Sequence, residues 1–230
     1  MIGLSVHQRT RSVTDADIER FRTLPVANVS DVMNRIPAAG PSLRPMHRAG
    51  ALAGRALTVR TRPGDNLLIH KALDMAEPGD VILVEDQGDL ANAISGENMM
   101  LWAARRGLAG VVVDGAMRDA DSIGKMNFPV YARGINPRGP HKAGPGEINV
   151  PIACGGVAVQ PGDIVVGDAD GVLVIPRQDG EAVLAKARNK LAQELATRTA
   201  IMSGTWDRSA YTEERFRALG CEIIDAAYGD

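Results

Sequence analysis

The stretch Gly110-Val111-Val112-Val113-Asp114-Gly115-Ala116-Met117-Arg118-Asp119 decides how this chain is read. Its first half is a short, continuous apolar run, the pattern of a strand covered on both faces. A short helix is expected from Asp119. Just upstream, Gly96 to Arg106 reads as a helix ended by Gly107, and Val81-Ile82-Leu83-Val84 as a strand after the turn Pro78-Gly79-Asp80. Strand and helix therefore alternate, as in a sheet with crossover helices.

Further toward the N-terminus, Arg55 to Thr61 alternates polar and apolar residues, as a half-buried strand does. Pro63-Gly64-Asp65 breaks it, and Asp65 can cap a helix from Asn66 to Met75, with Leu68, Ala72 and Met75 at helical spacing. Pro37 to Pro45 reads as a loop. Two short helices are expected in 14–36. Thr14-Asp15-Ala16-Asp17 opens the first, which runs to about Thr23, and the second starts near Asn28 or Ser30 and ends at Arg35. On the C-terminal side, Pro129 to Ala132 is a strand candidate. After Gly146 the character turns β-rich, over Ile148–Val159 and Asp163–Ile175, with Asp170-Gly171 as a hairpin turn.

A long helix over about 178–202 carries a weak apolar stripe: Val183, Leu184, Ala187, Leu191 and Leu195. It suits packing on a neighbouring subunit as well as it suits covering its own sheet. A C-terminal helix and a last short strand, Glu222-Ile223-Ile224, close the chain. The predicted architecture is α/β: one domain over 1–230, with layered mixed sheet, flanking helices and a long C-terminal helix.

Composition excludes several functions. The 230 residues are 45% hydrophobic and 23% charged, enough for a core and too apolar for disorder. A net charge of -2 with no long Lys/Arg run gives no basic patch for nucleic acid, and 3% aromatics gives no base-stacking platform. Cys154 and Cys221 fit neither a disulfide framework nor a zinc knuckle. No apolar run approaches the roughly 18 residues of a membrane span. Met1 to Arg11 has no apolar stretch of signal-peptide length, so a soluble, cytoplasmic protein is expected.

The residues able to carry chemistry lie between Ser95 and Asp119. Both ends fall at loop-to-helix junctions beside the carboxyl ends of strands, where open α/β sheets bind ligands. Free amides of Asn98, Met99 and Met100 after Gly96 can bind a carboxylate. Arg118 offers a planar charged fork for a carboxylate or an enolate. Glu97 and Asp119 are hard oxygen ligands suited to Mg²⁺ or Mn²⁺. A plainer reading, a helix cap plus a surface ion pair, remains open on local sequence.

The same segment carries a resemblance. With Arg60-Thr61-Arg62-Pro63-Gly64-Asp65-Asn66, Pro78-Gly79-Asp80, Asn149 to Gly156, Pro161-Gly162-Asp163 and Asp168 to Val172, it is similar to the class II pyruvate aldolase family. That family also contains RraA-like proteins. Its enzymes cleave 4-hydroxy-4-methyl-2-oxoglutarate and 4-carboxy-4-hydroxy-2-oxoadipate. Its signature is an acid, twenty intervening residues, then Arg-Asp, which Glu97, Arg118 and Asp119 satisfy. The resemblance implies a fold like the swivelling phosphohistidine domains. It implies a metal held directly by Asp119, a metal-bound water held by Glu97, and another held by Glu194 of an adjacent subunit. Arg118 would bind the keto and carboxylate oxygens and stabilise the pyruvate enolate. Gly96, Asn98, Met99 and Met100 would form the carboxylate pocket.

The implied function is divalent-metal-dependent cleavage of 4-hydroxy-2-oxo acids to pyruvate and a second carbonyl compound. Oxaloacetate decarboxylation follows through the same enolate. The implied assembly is a homotrimer, or a hexamer of two trimers, acting on a small oxo acid without nucleic acid or membrane. The alternative is an RraA-like, non-catalytic regulator of ribonuclease activity. Where the family reads Gly-Asp-Leu-Leu, this chain has Gly96-Glu97-Asn98-Met99-Met100, which implies a reshaped pocket. His70 shares a helical face with Asn66 and is a candidate auxiliary acid, base or anion contact. A phosphocarrier role is set aside because the resemblance runs through the metal motif. Lys142 lies in a polar Pro/Gly loop, which argues against an imine-forming role. Asp168 and Asp170 are read as hairpin-shaping residues.

Overall fold

A computed structural model describes residues 3–10 and 13–229. Met1, Ile2, Arg11, Ser12 and Asp230 lie outside the described residues, and with them both ends of the expected 1–230 domain and part of the Met1–Arg11 segment. The chain divides into two compact units, Met1–Arg188 and Asn189–Asp230.

The first unit begins with β1 (Leu4–Val6), α1 (Asp15–Arg22), α2 (Val26–Val32), β2 (Arg44–Pro45) and β3 (Leu52–Thr61). There follow α3 (Leu67–Met75), β4 (Asp80–Glu85), β5 (Ala93–Ser95), α4 (Glu97–Arg105), β6 (Gly110–Met117), α5 (Ala120–Ile123) and β7 (Val130–Ile135). Its second half holds β8 (Gly146–Ile148), β9 (Ile152–Cys154), β10 (Val157–Val159), β11 (Ile164–Asp168), β12 (Gly171–Ile175) and the start of α6 (Gly180–Met202). Among the described residues, ten strands form one mixed sheet with path β1-β8-β3-β4-β6-β7-β2. The β11–β12 hairpin joins β3, and β5 joins β6. β9 and β10 pair apart.

At the centre β3, β4, β6 and β7 run parallel, in register at Val59, Val84, Val113 and Ala132. Every residue of β6 is buried, as its continuous apolar run requires. Alternation along the strands feeds two cores. Leu57, Val59, Ile82, Val84, Val111 and Val113 pack under α3 and α4, against Leu68, Ile69, Leu73, Met100 and Ala103. Val81, Leu83 and Val112 face Ile152, Val159, Val165, Val172 and Val174 on the other side. Each such Val, Leu or Ile contributes about 1.5–3 kcal/mol by leaving water. Gly110 is fixed by close packing, since a Cβ there would lie 2.7 Å from the Pro129 carbonyl oxygen.

The hairpin at Asp168–Gly171 forms as expected, with those two residues paired across it. Several expectations are corrected. The second helix starts at Val26, after Pro25 presets its first turn, and stops before Asn34 and Arg35, whose φ values are positive. The Pro37–Pro45 loop ends in β2, paired with β7. Sequence reading missed β1 and β5. Glu222–Ile224 is not a strand, and no ladder there satisfies its backbone.

The second unit contains the rest of α6 and α7 (Glu213–Ala218). The Thr212 hydroxyl accepts from the Arg215 amide at the start of α7. The Arg208 guanidinium stacks on Trp206 and Tyr211, 4.6 and 4.7 Å from the ring centroids. Among the described residues no helix is long and apolar enough to cross a membrane.

Candidate active site

The parallel strands end on the side where β6 gives way to Arg118 and Asp119 and β5 gives way to α4. The Arg118 amide donates to the Ser95 carbonyl at 3.0 Å, tying the two strand ends together. Asp119 sits in the left-handed region at φ 60, which Asp tolerates better than most residues. It heads α5 without capping it. Instead its Oδ2 accepts from the Glu97 amide at 2.9 Å, so an acid at 119 fills an orphan donor at the start of α4. This bond is the physical content of the spacing between Glu97 and Asp119. Gly96 is required here, because a Cβ would collide with Asp119 Oδ2 and lie 3.0 Å from Arg118 Cγ.

The Arg118 guanidinium lies 3.9 Å from Asp119 Oδ2, with side chains 47% and 42% exposed, so both remain open to a ligand. The Glu97 carboxylate has no hydrogen bond or ion pair among the described residues. The first-turn amides of α4 differ from expectation. The Met99 and Met100 amides donate to the Gly96 carbonyl at 3.1 and 3.2 Å. Met100 is wholly buried in the core. The Asn98 amide is the one of the three left without a described acceptor.

Arg118 and Asp119 border a cleft of about 190 Å³. Its walls are Arg118 and Asp119, Ser95, Gly96, Asn98 and Met99 around the start of α4, Asn66 and His70 of the α3 segment, and Pro140 and Lys142 of a facing loop. Partial burial and the Lys142 ammonium push the His70 pKa down, against a weaker pull from Asp74, which favours the neutral ring at pH 7. Lys142 is exposed in the cleft wall, where it is a cation for a ligand and lacks the desolvation an imine lysine needs.

Two buried acids support these walls. Asp65 accepts from the Leu67, Ala143 and Gly144 amides at 3.0, 2.8 and 2.9 Å, clamping the facing loop. Asp86 accepts from the Gly64 amide at 2.9 Å through Oδ1, while its buried Oδ2 has no partner. Burial, reinforced by Asp89 and Asp114, raises its pKa to about 7. Sequence reading missed Asp86 and the place of Lys142 in the cleft. Both follow from contacts far apart in the chain. For Asp65 the only signal was the helix start.

The donor set suits a hard divalent cation. Glu97 is unpaired, Asp119 has an oxygen to spare, and Mg²⁺ takes one or two carboxylates and keeps several waters. Among the described residues no group of three His, Cys, Asp or Glu could hold a metal. Glu194 belongs to the second unit, 44% exposed, with Lys190 3.4 Å away.

Comparison with known proteins places the chain in a family. The sequence profile of the RraA-like family, Aldolase/RraA, matches residues 26–174, and the chain belongs to that family. A Halalkalibacterium halodurans protein named as a candidate 4-hydroxy-4-methyl-2-oxoglutarate aldolase is 42% identical over 197 residues, 86% of this chain and 94% of that one. The 4-hydroxy-4-methyl-2-oxoglutarate aldolase of Thermus thermophilus is 38% identical over 54% of this chain and 75% of its own length. The solved structure of the RNA-processing inhibitor RraA from the same organism superposes with a TM-score of 0.61 at 33% identity, covering 66% of this chain and 92% of that one.

Proposed function

We propose that this protein is a divalent-metal-dependent aldolase that cleaves 4-hydroxy-2-oxo acids to pyruvate and a second carbonyl compound. Oxaloacetate decarboxylation would follow through the same pyruvate enolate. One observation carries the reading: an uncommitted guanidinium, Arg118, stands beside Asp119 in the wall of a cleft, and Asp119 is tied to the backbone amide of Glu97 at the start of α4. Asp119 and Glu97, with Glu194 from a second copy of the chain, are the residues that would hold Mg²⁺ or Mn²⁺. Such a cation supplies Lewis-acid stabilisation of the developing enolate.

The chain's own groups do the rest. The free Asn98 amide at the start of α4 receives the substrate carboxylate. Arg118 binds the 2-oxo oxygen and, as charge builds there, stabilises it through a planar fork. Water in the cleft takes the 4-hydroxyl proton, C4 becomes the second carbonyl as the C3–C4 bond breaks, and that bond's electron pair forms the C2–C3 double bond while the C2 carbonyl pair moves to oxygen. Protonation at C3 then yields pyruvate. In oxaloacetate the same bond breaks to release carbon dioxide.

The proposal includes a cytoplasmic homo-oligomer, a trimer or a hexamer of two trimers, acting without nucleic acid or membrane. The rival reading, a regulator of RNA processing, draws on the Thermus structural neighbour. It assigns no role to the Glu97, Arg118 and Asp119 set. A coupled pyruvate assay with Mg²⁺ or Mn²⁺, over a panel of 4-hydroxy-2-oxo acids and oxaloacetate, separates the two. Pyruvate is expected from both substrate classes. None from either, together with capture of a ribonuclease, would establish the rival.

A further inference from the structure

Asn66 is 3% exposed, yet it lines the cleft. Its backbone is locked. The amide donates to the His141 carbonyl at 3.0 Å, and its carbonyl accepts from Ile69 and His70 at 3.1 and 3.2 Å. Its side chain makes no helix-cap bond. What it does make is a contact from Nδ2 to the Met99 sulfur at 3.6 Å. The Ser95 hydroxyl donates to the same sulfur at 3.5 Å. A thioether can only accept, so the nitrogen end of the amide must face it. That leaves Asn66 Oδ1 turned away from the sulfur, buried and without a partner.

A buried carbonyl with no donor costs about 1–3 kcal/mol. Such an orphan requires a physical reason, and in a cleft wall a ligand's donor supplies one by completing the bond. The oxygen is closed off from bulk water. Long sulfur contacts and a flexible Met99 side chain allow the small shift that opens it to an occupant. Carboxylates and keto oxygens cannot satisfy it, since they only accept. It calls for a donor, and the 4-hydroxyl is the donor that a 4-hydroxy-2-oxo acid carries near its reacting bond.

We propose that Asn66 Oδ1 accepts a hydrogen bond from the substrate's 4-hydroxyl, and thereby selects 4-hydroxy-2-oxo acids over oxo acids that lack this group. The inference rests on the aldolase reading above and deepens it. Asn66 binds the hydroxyl and is not the base. Met99 acts through Asn66 as a positioning residue, fixing which end of the amide is presented. Leucine at 99 would leave that choice open.

The test compares kcat/KM for a 4-hydroxy-2-oxo acid with kcat/KM for oxaloacetate, which has no 4-hydroxyl, across the wild type, Asn66→Ala and Asn66→Asp. Asn66→Ala is expected to lower aldol cleavage by about 10- to 100-fold and to leave decarboxylation within about twofold. Asn66→Asp keeps an acceptor but sets a second oxygen against the Met99 sulfur, and is expected to recover only part of the selectivity. Asn66→Leu, which keeps the volume without the acceptor, replaces Asn66→Ala if that variant does not fold. An equal fall in both activities, or no fall in aldol cleavage, overturns the assignment and leaves the aldolase reading standing. A wild type that makes pyruvate from neither substrate overturns both.

Discussion

Asp65 and Asp119 both follow strands of the central sheet, one buried behind the cleft wall and one lining the cleft, and their surroundings are opposite. Asp65 is fully enclosed and accepts from three amides and the Arg62 guanidinium. Burial alone would raise its pKa, but those donors outweigh it and the net shift is downward. Asp119 accepts from one amide, is 42% exposed and stands on a left-handed backbone. Saturation separates them. An acid whose lone pairs are all taken holds chain segments together, and an acid with oxygens to spare can act on something that arrives.

The strongest test of that division is Asp119→Asn. Asparagine keeps the shape, tolerates the left-handed backbone and can still accept from the Glu97 amide. It removes the charge from the open side. Turnover is expected to fall by about 10²–10³, with the melting temperature within about 2 °C of wild type. A variant with full activity would break the comparison at its functional end.

Asp65→Asn probes the other end. Its amide nitrogen would face donor amides of the clamped loop, so stability is expected to fall by about 2–4 kcal/mol, read from urea titrations at pH 7. The pH dependence has a defined sign. The folded pKa of Asp65 lies below its ordinary 3.8. Its contribution is therefore present above about pH 4 and is lost as pH falls through the folded value. The gap between wild type and Asp65→Asn should narrow in acid. A gap independent of pH would show that the clamp does not depend on the charge.

Most of the scaffold could be read from sequence because its signals are local. Val111-Val112-Val113 declares a strand buried on both faces, and Asp170-Gly171 declares a hairpin. Gly96, Glu97, Arg118 and Asp119 stood out as a spaced set, and the structure brings them to one place. Three-residue strands such as β1 and β5 are too short to show a period, so they passed unseen. The orphaned oxygens of Asn66 and Asp86 depend on which distant groups fail to reach them, and no spacing encodes that. The split of β3 between β8 and β11 is hidden for the same reason.

Asp86 sharpens the comparison because it is as buried as Asp65 without being saturated. One oxygen accepts from the Gly64 amide, and the other is unpaired and pressed against Gly115. Burial, then the Asp89 and Asp114 carboxylates, raise its pKa from 3.8 to about 7. Between those values the folded chain holds a proton that the unfolded chain has released. Stability should therefore decline as pH rises from about 4 to about 7, and level off above. The full shift corresponds to about 4 kcal/mol at 1.36 kcal/mol per unit. Relaxation around the ionised group brings the expected effect nearer to about 2 kcal/mol. Asp86→Asn cannot ionise, keeps the acceptor for Gly64 and should lack that decline. Urea titrations at pH 5 and pH 8, which leave out the first part of that window, would then show wild type losing about 1 kcal/mol more than the variant. Parallel losses would mean that Asp86 is satisfied in a way its surroundings do not reveal, and burial without saturation would no longer form a third kind of acid beside this cleft.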